Sequence, residues 1–135
     1  SPVTIKGNTV YNNCGNGIYS ITASIENNSV FNNYITNIYG TIIKSNVSQC
    51  EFSPHTGITF TGGANVYQNY VSGCENGIVS GGIVYASIKE NLVVGDTIRL
   101  IHNAWGTTVQ GNNTSLPIVV LYPSGVTLAD NYLLE

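Results

Sequence analysis

An asparagine returns at positions 8, 28, 46, 69, 91, 112 and 131, at intervals of 20, 18, 23, 22, 21 and 19 residues. Three residues before each stands an aliphatic side chain: Ile5, Ile25, Ile43, Val66, Ile88, Val109 and Leu128. The stretch around each pair obeys one rule. A small or branched residue, any residue and the aliphatic come first; two more residues, the asparagine, any residue and usually another aliphatic follow. Val3-Thr4-Ile5-Lys6-Gly7-Asn8-Thr9-Val10 and Ala86-Ser87-Ile88-Lys89-Glu90-Asn91-Leu92-Val93 show it clearly, and Thr41-Ile42-Ile43-Lys44-Ser45-Asn46-Val47-Ser48 is the weakest copy. A unit of about twenty residues is too short to close a core alone, so its copies must stack on one another.

The alternation small-x-aliphatic is that of a half-buried strand. The asparagine interrupts it where the chain must turn. Asparagine tolerates the left-handed conformation better than other non-glycine residues, so it is expected to hold the corner itself. Its amide can bond to the asparagines of the coils above and below, as in stacked cross-β structures. Asn37 and Asn103 stand outside this ladder and are expected to matter less. The uneven intervals put insertions in one loop per coil. A second strand is expected at Gly17-Ile18, Gly57-Ile58 and Gly77-Ile78, and at Ile38, Ile98 and Ile118. A third is expected through Ile83-Val84, Leu100-Ile101 and Val119-Val120. The L-x-x-L-x-L scaffold of leucine-rich repeats is missing. The expected fold is an all-β, right-handed parallel β-helix of about seven coils with an Asn ladder. It forms a single domain over residues 1–135, expected to be an excerpt of a longer chain.

Composition agrees with a stacked sheet and excludes several functions. Charged residues make up 8% of the chain, against roughly 25% in an average soluble domain, while Asn occupies eighteen positions and Gly fifteen. The abundance of Ile, Val, Tyr and Thr argues against disorder. Net charge is −3 with four basic residues, Lys6, Lys44, Lys89 and Arg99, so no basic stripe exists for nucleic acid. No apolar run reaches the ~20 residues of a membrane span. The sequence opens at Ser1-Pro2-Val3 directly in strand-like residues, with no signal-peptide pattern. Cys14, Cys50 and Cys74 form an odd set without C-x-x-C spacing and read as small core residues rather than metal ligands. No metal or cofactor is expected.

The coils, Ala23-Ser24-Ile25-Glu26-Asn27-Asn28-Ser29-Val30-Phe31-Asn32-Asn33 above all, resemble the parallel β-helix repeats of the pectate-lyase-like superfamily. That superfamily includes pectate lyases, polygalacturonases, alginate epimerases and phage tailspikes. The enzymatic signatures of two groups are absent. There is no Arg-x-Pro-x-x-Arg around the single arginine, and no Asn-Thr-Asp, Asp-Asp, Gly-His-Gly or Arg-Ile-Lys. Periplasmic copper-handling β-helices would supply Met or His ligands, but Met is absent and only His55 and His102 occur. The chain is most similar to the tailspike group in its few charges, its many Asn, Gly, Ser and Thr residues and its aromatics. That resemblance implies recognition, and in many members cleavage, of bacterial surface polysaccharide, in the extracellular space on a virion tail. It carries no site residue over, and a structural stalk or adhesin segment is a further alternative.

Glycoside hydrolysis needs paired carboxylates, and the chain has only seven acidic residues. Glu75 and Asp96 fall at similar places in adjacent coils, within reach of each other at a coil spacing of ~4.8 Å. Arg99 adds a cation and His102 a proton carrier, completing a candidate catalytic set with Glu75 and Asp96. Trp105, Tyr67 and Tyr70 are the candidate sugar-binding residues. Tyr11, Phe31, Tyr67, Tyr70 and Tyr132 are expected to point outward. Lys6, Glu26 and Lys44 should form one outward column of alternating charge. The shortage of charge beside outward Tyr11, Phe31, Val94 and Leu134, together with the apolar segment Leu116–Tyr122, leads to the expectation of a parallel homotrimer.

Overall fold

The computed structural model describes residues 3–51 and 55–135. Ser1 and Pro2, at the head of the first expected strand, lie outside them. Among the described residues all strand pairing is parallel and no helix occurs. The chain winds as a parallel β-solenoid of about six turns. Seven strands stack in one sheet: Thr9–Tyr11, Ser29–Phe31, Val47–Gln49, Tyr70–Ser72, Leu92–Val94, Asn113–Thr114 and Tyr132–Leu133. The other sheet has ten strands. Its main path runs from Thr4–Lys6 through Ile18–Glu26, Thr36–Lys44 and Thr56–Tyr67 to Ser87–Lys89, Thr108–Gln110 and Thr127–Ala129, and Asn76–Val84, Ile98–Leu100 and Val119–Val120 join beside it.

The period-two alternation explains the core. In the larger sheet Ile5, Ile25, Ile43, Val66, Ile88, Val109 and Leu128 pair in register, one directly above the next. Ile18, Ile38, Ile58, Ile78 and Ile98 form a second column. From Ile25 to Val109, and from Ile38 to Ile98, these side chains are fully buried. Ser48 breaks the apolar column of the smaller sheet. It is buried too, and its hydroxyl donates to the carbonyl of Gly57 at 3.0 Å.

The strands are partitioned differently from the sequence expectation. The Gly-Ile segment and the later aliphatics are one strand, as in Asn76–Val84 and Ile98–Leu100. In Ile18–Glu26 and Thr36–Lys44 that strand also runs on into the repeat strand of its own coil. The remaining strand of each coil is the piece of two or three residues directly after the asparagine.

All seven repeat asparagines form one ladder. From Asn8 to Asn112, each Nδ2 donates to the Oδ1 of the next coil's asparagine at 2.9–3.1 Å. The main-chain N–H donates to the same oxygen at 2.9–3.0 Å. From Asn28 onward, Nδ2 also donates to the carbonyl of the aliphatic residue in the previous coil, Ile5 for Asn28 and Val66 for Asn91. Asn28, Asn46, Asn69, Asn91 and Asn112 therefore lie buried with every amide group paired.

The left-handed residue of the corner is not the asparagine but its predecessor. Gly7, Asn27, Ser45, Gln68, Glu90, Gly111 and Asp130 have φ between 55° and 72°. The turn happens one residue early, and this frees the asparagine to aim its amide inward along the stack.

A second corner is held by three successive chemistries. Asn13 donates to Asn33, and Asn33 to Asn37, in a short second ladder. Asn37, expected to be peripheral, is fully buried and donates to the Ser48 hydroxyl and the Gln49 carbonyl. The next two coils are joined by a disulfide between Cys50 and Cys74, so two of the three cysteines are covalent staples rather than plain core residues. Cys14 is free and exposed. Beyond the disulfide the corner passes to Asp96.

Candidate functional site

Asp96 is buried in the turn after Leu92–Val94. One carboxylate oxygen accepts the Gly77 amide of the neighbouring coil at 2.7 Å, as a ladder asparagine would. Arg99, three residues on, closes a two-pronged clamp, Nε to one oxygen at 3.1 Å and an Nη to the other at 2.6 Å. Burial raises the carboxyl's pKa, but the Arg99 hydrogen bonds and the Gly77 and Thr97 amides outweigh it and leave it below the ordinary value. The bond to Asp96 in turn raises Arg99. Asp96 is thus a clamped anion suited to holding the corner.

The structure distributes the expected site residues over three corners. Glu75 stands at the Asp96 corner on the adjacent coil and is exposed where Asp96 is buried. Arg99 joins Asp96. His102 is half-buried in the turn beyond the strand Ile98–Leu100, and its Nδ1 is buried without a hydrogen-bond partner among the described residues. Trp105 lies past the far end of that strand, at another corner, and is 69% exposed. Tyr67 and Tyr70 flank the ladder corner, both half-buried. The alternating column holds as expected, with Glu26 between Lys6 at 3.9 Å and Lys44 at 3.8 Å. It continues to Tyr67, whose ring lies 5.8 Å from the Lys44 ammonium.

Three surface features were not singled out from sequence. Tyr19 and Tyr39 pair in register and stack at 4.6 Å between ring centroids. Tyr85 is as exposed as Trp105. Its ring lies on Gly63 of the preceding coil, where an added Cβ would come within 2.7 Å of the phenol ring. Register could have revealed this, since Tyr85 precedes Ala86 as Gly63 precedes Ala64. The third feature is an open groove of about 270 Å³ along the ladder corner, lined by Lys89, Glu90, Gln110, Gly111 and Asp130. Gly111 lacks a side chain between two acidic residues, and Gln68 donates to Glu90 at 3.1 Å.

Among the described residues no cluster of three or more His, Cys, Asp or Glu could hold a metal ion, and no helix is long and apolar enough to cross a membrane. No protein-family model matches the chain, and no curated protein or solved structure matches it.

Proposed function

We propose that this solenoid is a recognition module of the phage-tailspike kind, whose flank binds bacterial surface polysaccharide. The observation that carries the reading is a flank with few charges on a ladder-braced solenoid, on which Tyr85 and Trp105 are each 69% exposed. Large aromatic faces left in water are costly unless something covers them, and sugar rings offer apolar C–H faces that match. In this reading the module works outside the cell, on a virion tail, as a parallel homotrimer. The Cys50–Cys74 disulfide suits an oxidising compartment.

The clamping of Asp96 by Arg99 favours recognition over cleavage at that corner. One observation favours a hydrolase instead: Glu90 and Asp130 line a common groove, two coil steps or ~10 Å apart, close to the ~6.5–9.5 Å of inverting enzymes. The test is an array of purified O-antigen and capsular polysaccharides, followed by assays for reducing ends and for unsaturated uronides on each polymer bound. Binding without either product is expected. Cleavage abolished by Glu75→Gln and Asp96→Asn, or by Glu90→Gln and Asp130→Asn, would establish the enzyme reading and locate its site.

A further inference from the structure

Tyr85 and Trp105 belong to one corner of the solenoid. The Tyr85 amide donates to the Gly62 carbonyl of the coil before at 3.2 Å, and the Gly106 amide to the Gly125 carbonyl of the coil after at 2.8 Å. Four successive coils therefore contribute Gly63, Tyr85, Trp105-Gly106 and Gly125 to this edge. The two rings lean in opposite directions along it. Tyr85 lies back over Gly63, and Trp105 lies forward over Gly125, where any Cβ would run into the indole. Each ring thus lies against a glycine and is otherwise largely in solvent. The indole N–H and the phenol hydroxyl have no hydrogen-bond partner among the described residues and remain open to a ligand's hydroxyls.

From these placements we infer that the Tyr85–Trp105 edge is a stacking platform for an extended, uncharged pyranose chain lying along the solenoid axis. This rests on the polysaccharide reading above and assigns it a site. The rings sit about three coil steps apart, ~14 Å at the ~4.8 Å spacing of stacked strands. Pyranose units along an extended glycan recur at much the same interval as the coils, so sugars a few units apart meet both rings at once. Charge decides the polymer class. Of the four cationic side chains, Lys6 and Lys44 face Glu26, Arg99 is clamped by Asp96, and Lys89 lies at the ladder corner in the groove it shares with Glu90 and Asp130. An acidic polysaccharide would find little counter-charge here, whereas a neutral one loses nothing.

Trp105 is the only tryptophan, so its emission reports directly on this edge. The intact chain is titrated with purified neutral and acidic O-antigen and capsular polysaccharides, with hyaluronan as an acidic reference. A shift of tryptophan emission on binding a neutral polymer is expected. Trp105→Ala and Tyr85→Ala should each weaken that binding about tenfold, while Tyr19→Ala, on another strand, leaves it unchanged. Gly63→Ala retains both rings but pushes Tyr85 off its seat, and should weaken binding with circular dichroism unaltered. Polysaccharide binding with unchanged emission and wild-type affinity in Trp105→Ala and Tyr85→Ala would overturn the platform and leave the recognition reading standing. The platform also falls if Tyr19→Ala weakens binding equally, or if acidic polymers bind better. Failure of every polymer to bind removes both inferences.

Discussion

At the scale of the residue, a ladder asparagine is fully enclosed by its own repeat. Asn69 donates to Asn91 and to the Ile43 carbonyl, and accepts from Asn46 twice. Truncation strands those neighbours inside the buried stack. Asn69→Ala or Asn91→Ala should each cost roughly 1–3 kcal/mol. Asn37→Ala belongs with them, because Asn37 is buried and fills the second corner. Asn103 is exposed, and its side chain accepts only the Trp105 amide among the described residues, so Asn103→Ala, which keeps the main-chain bond from Val84, should change stability by less than about 0.5 kcal/mol. Urea unfolding of the four variants checks the ordering, and equal losses across all four would refute it.

At the scale of the element, the corners divide into one that repeats and one that does not. The repeating corner was legible in sequence because its signal, an Asn with an aliphatic residue three positions earlier, recurs seven times, and the charge alternation at Lys6, Glu26 and Lys44 supports it in three coils. The second corner was not, because each coil solves it with a different residue type. Asn33, the disulfide and Asp96 share a place but no pattern, and only register reveals them as equivalents. The left-handed residue was misplaced by one position for a related reason. Gly, Asn, Ser, Gln, Glu and Asp all occupy it, so no residue preference marks it. The candidate site scattered because closeness in sequence, from Asp96 to Trp105, was spent crossing a whole face of the coil.

The non-repeating corner makes two predictions. Asp96 has a folded pKa below its unfolded value, so its contribution is complete above the ordinary ~3.9 and is lost as pH falls through the lower folded value. A plot of melting temperature against pH should therefore fall on acidification for the native chain, and Asp96→Asn should flatten part of that fall. Parallel curves for the two proteins would refute the linkage. The disulfide spans 24 residues of sequence. Replacing Cys50 and Cys74 together by Ser should destabilise the fold by ~2–4 kcal/mol, read by thermal unfolding against the oxidised parent.

At the scale of the whole molecule, apolar surface and charge are out of balance. Ile21, Ile35, Ile83 and Leu121 are more than half exposed, beside stacked Tyr11 and Phe31 and stacked Tyr19 and Tyr39. In the proposed homotrimer, closed threefold symmetry buries such columns. Sedimentation equilibrium at micromolar concentration should give about three times the 14.4 kDa chain mass, and a species of single-chain mass would count against self-association.

A ladder built from one residue type has an ambiguity of its own. Any asparagine rung can satisfy any other, so a chain slipped by one whole coil would keep nearly all its ladder bonds while pairing the wrong turns. The second corner removes this degeneracy. Cys50 is bonded to Cys74, the Gly77 amide donates to Asp96, and Asn37 donates to the Ser48 hydroxyl, each a pairing of unlike parts that a slip of one coil would break. Coil order is thus keyed by unlike parts at one edge and fastened by like parts at the other, as a numbered tab indexes identical pages.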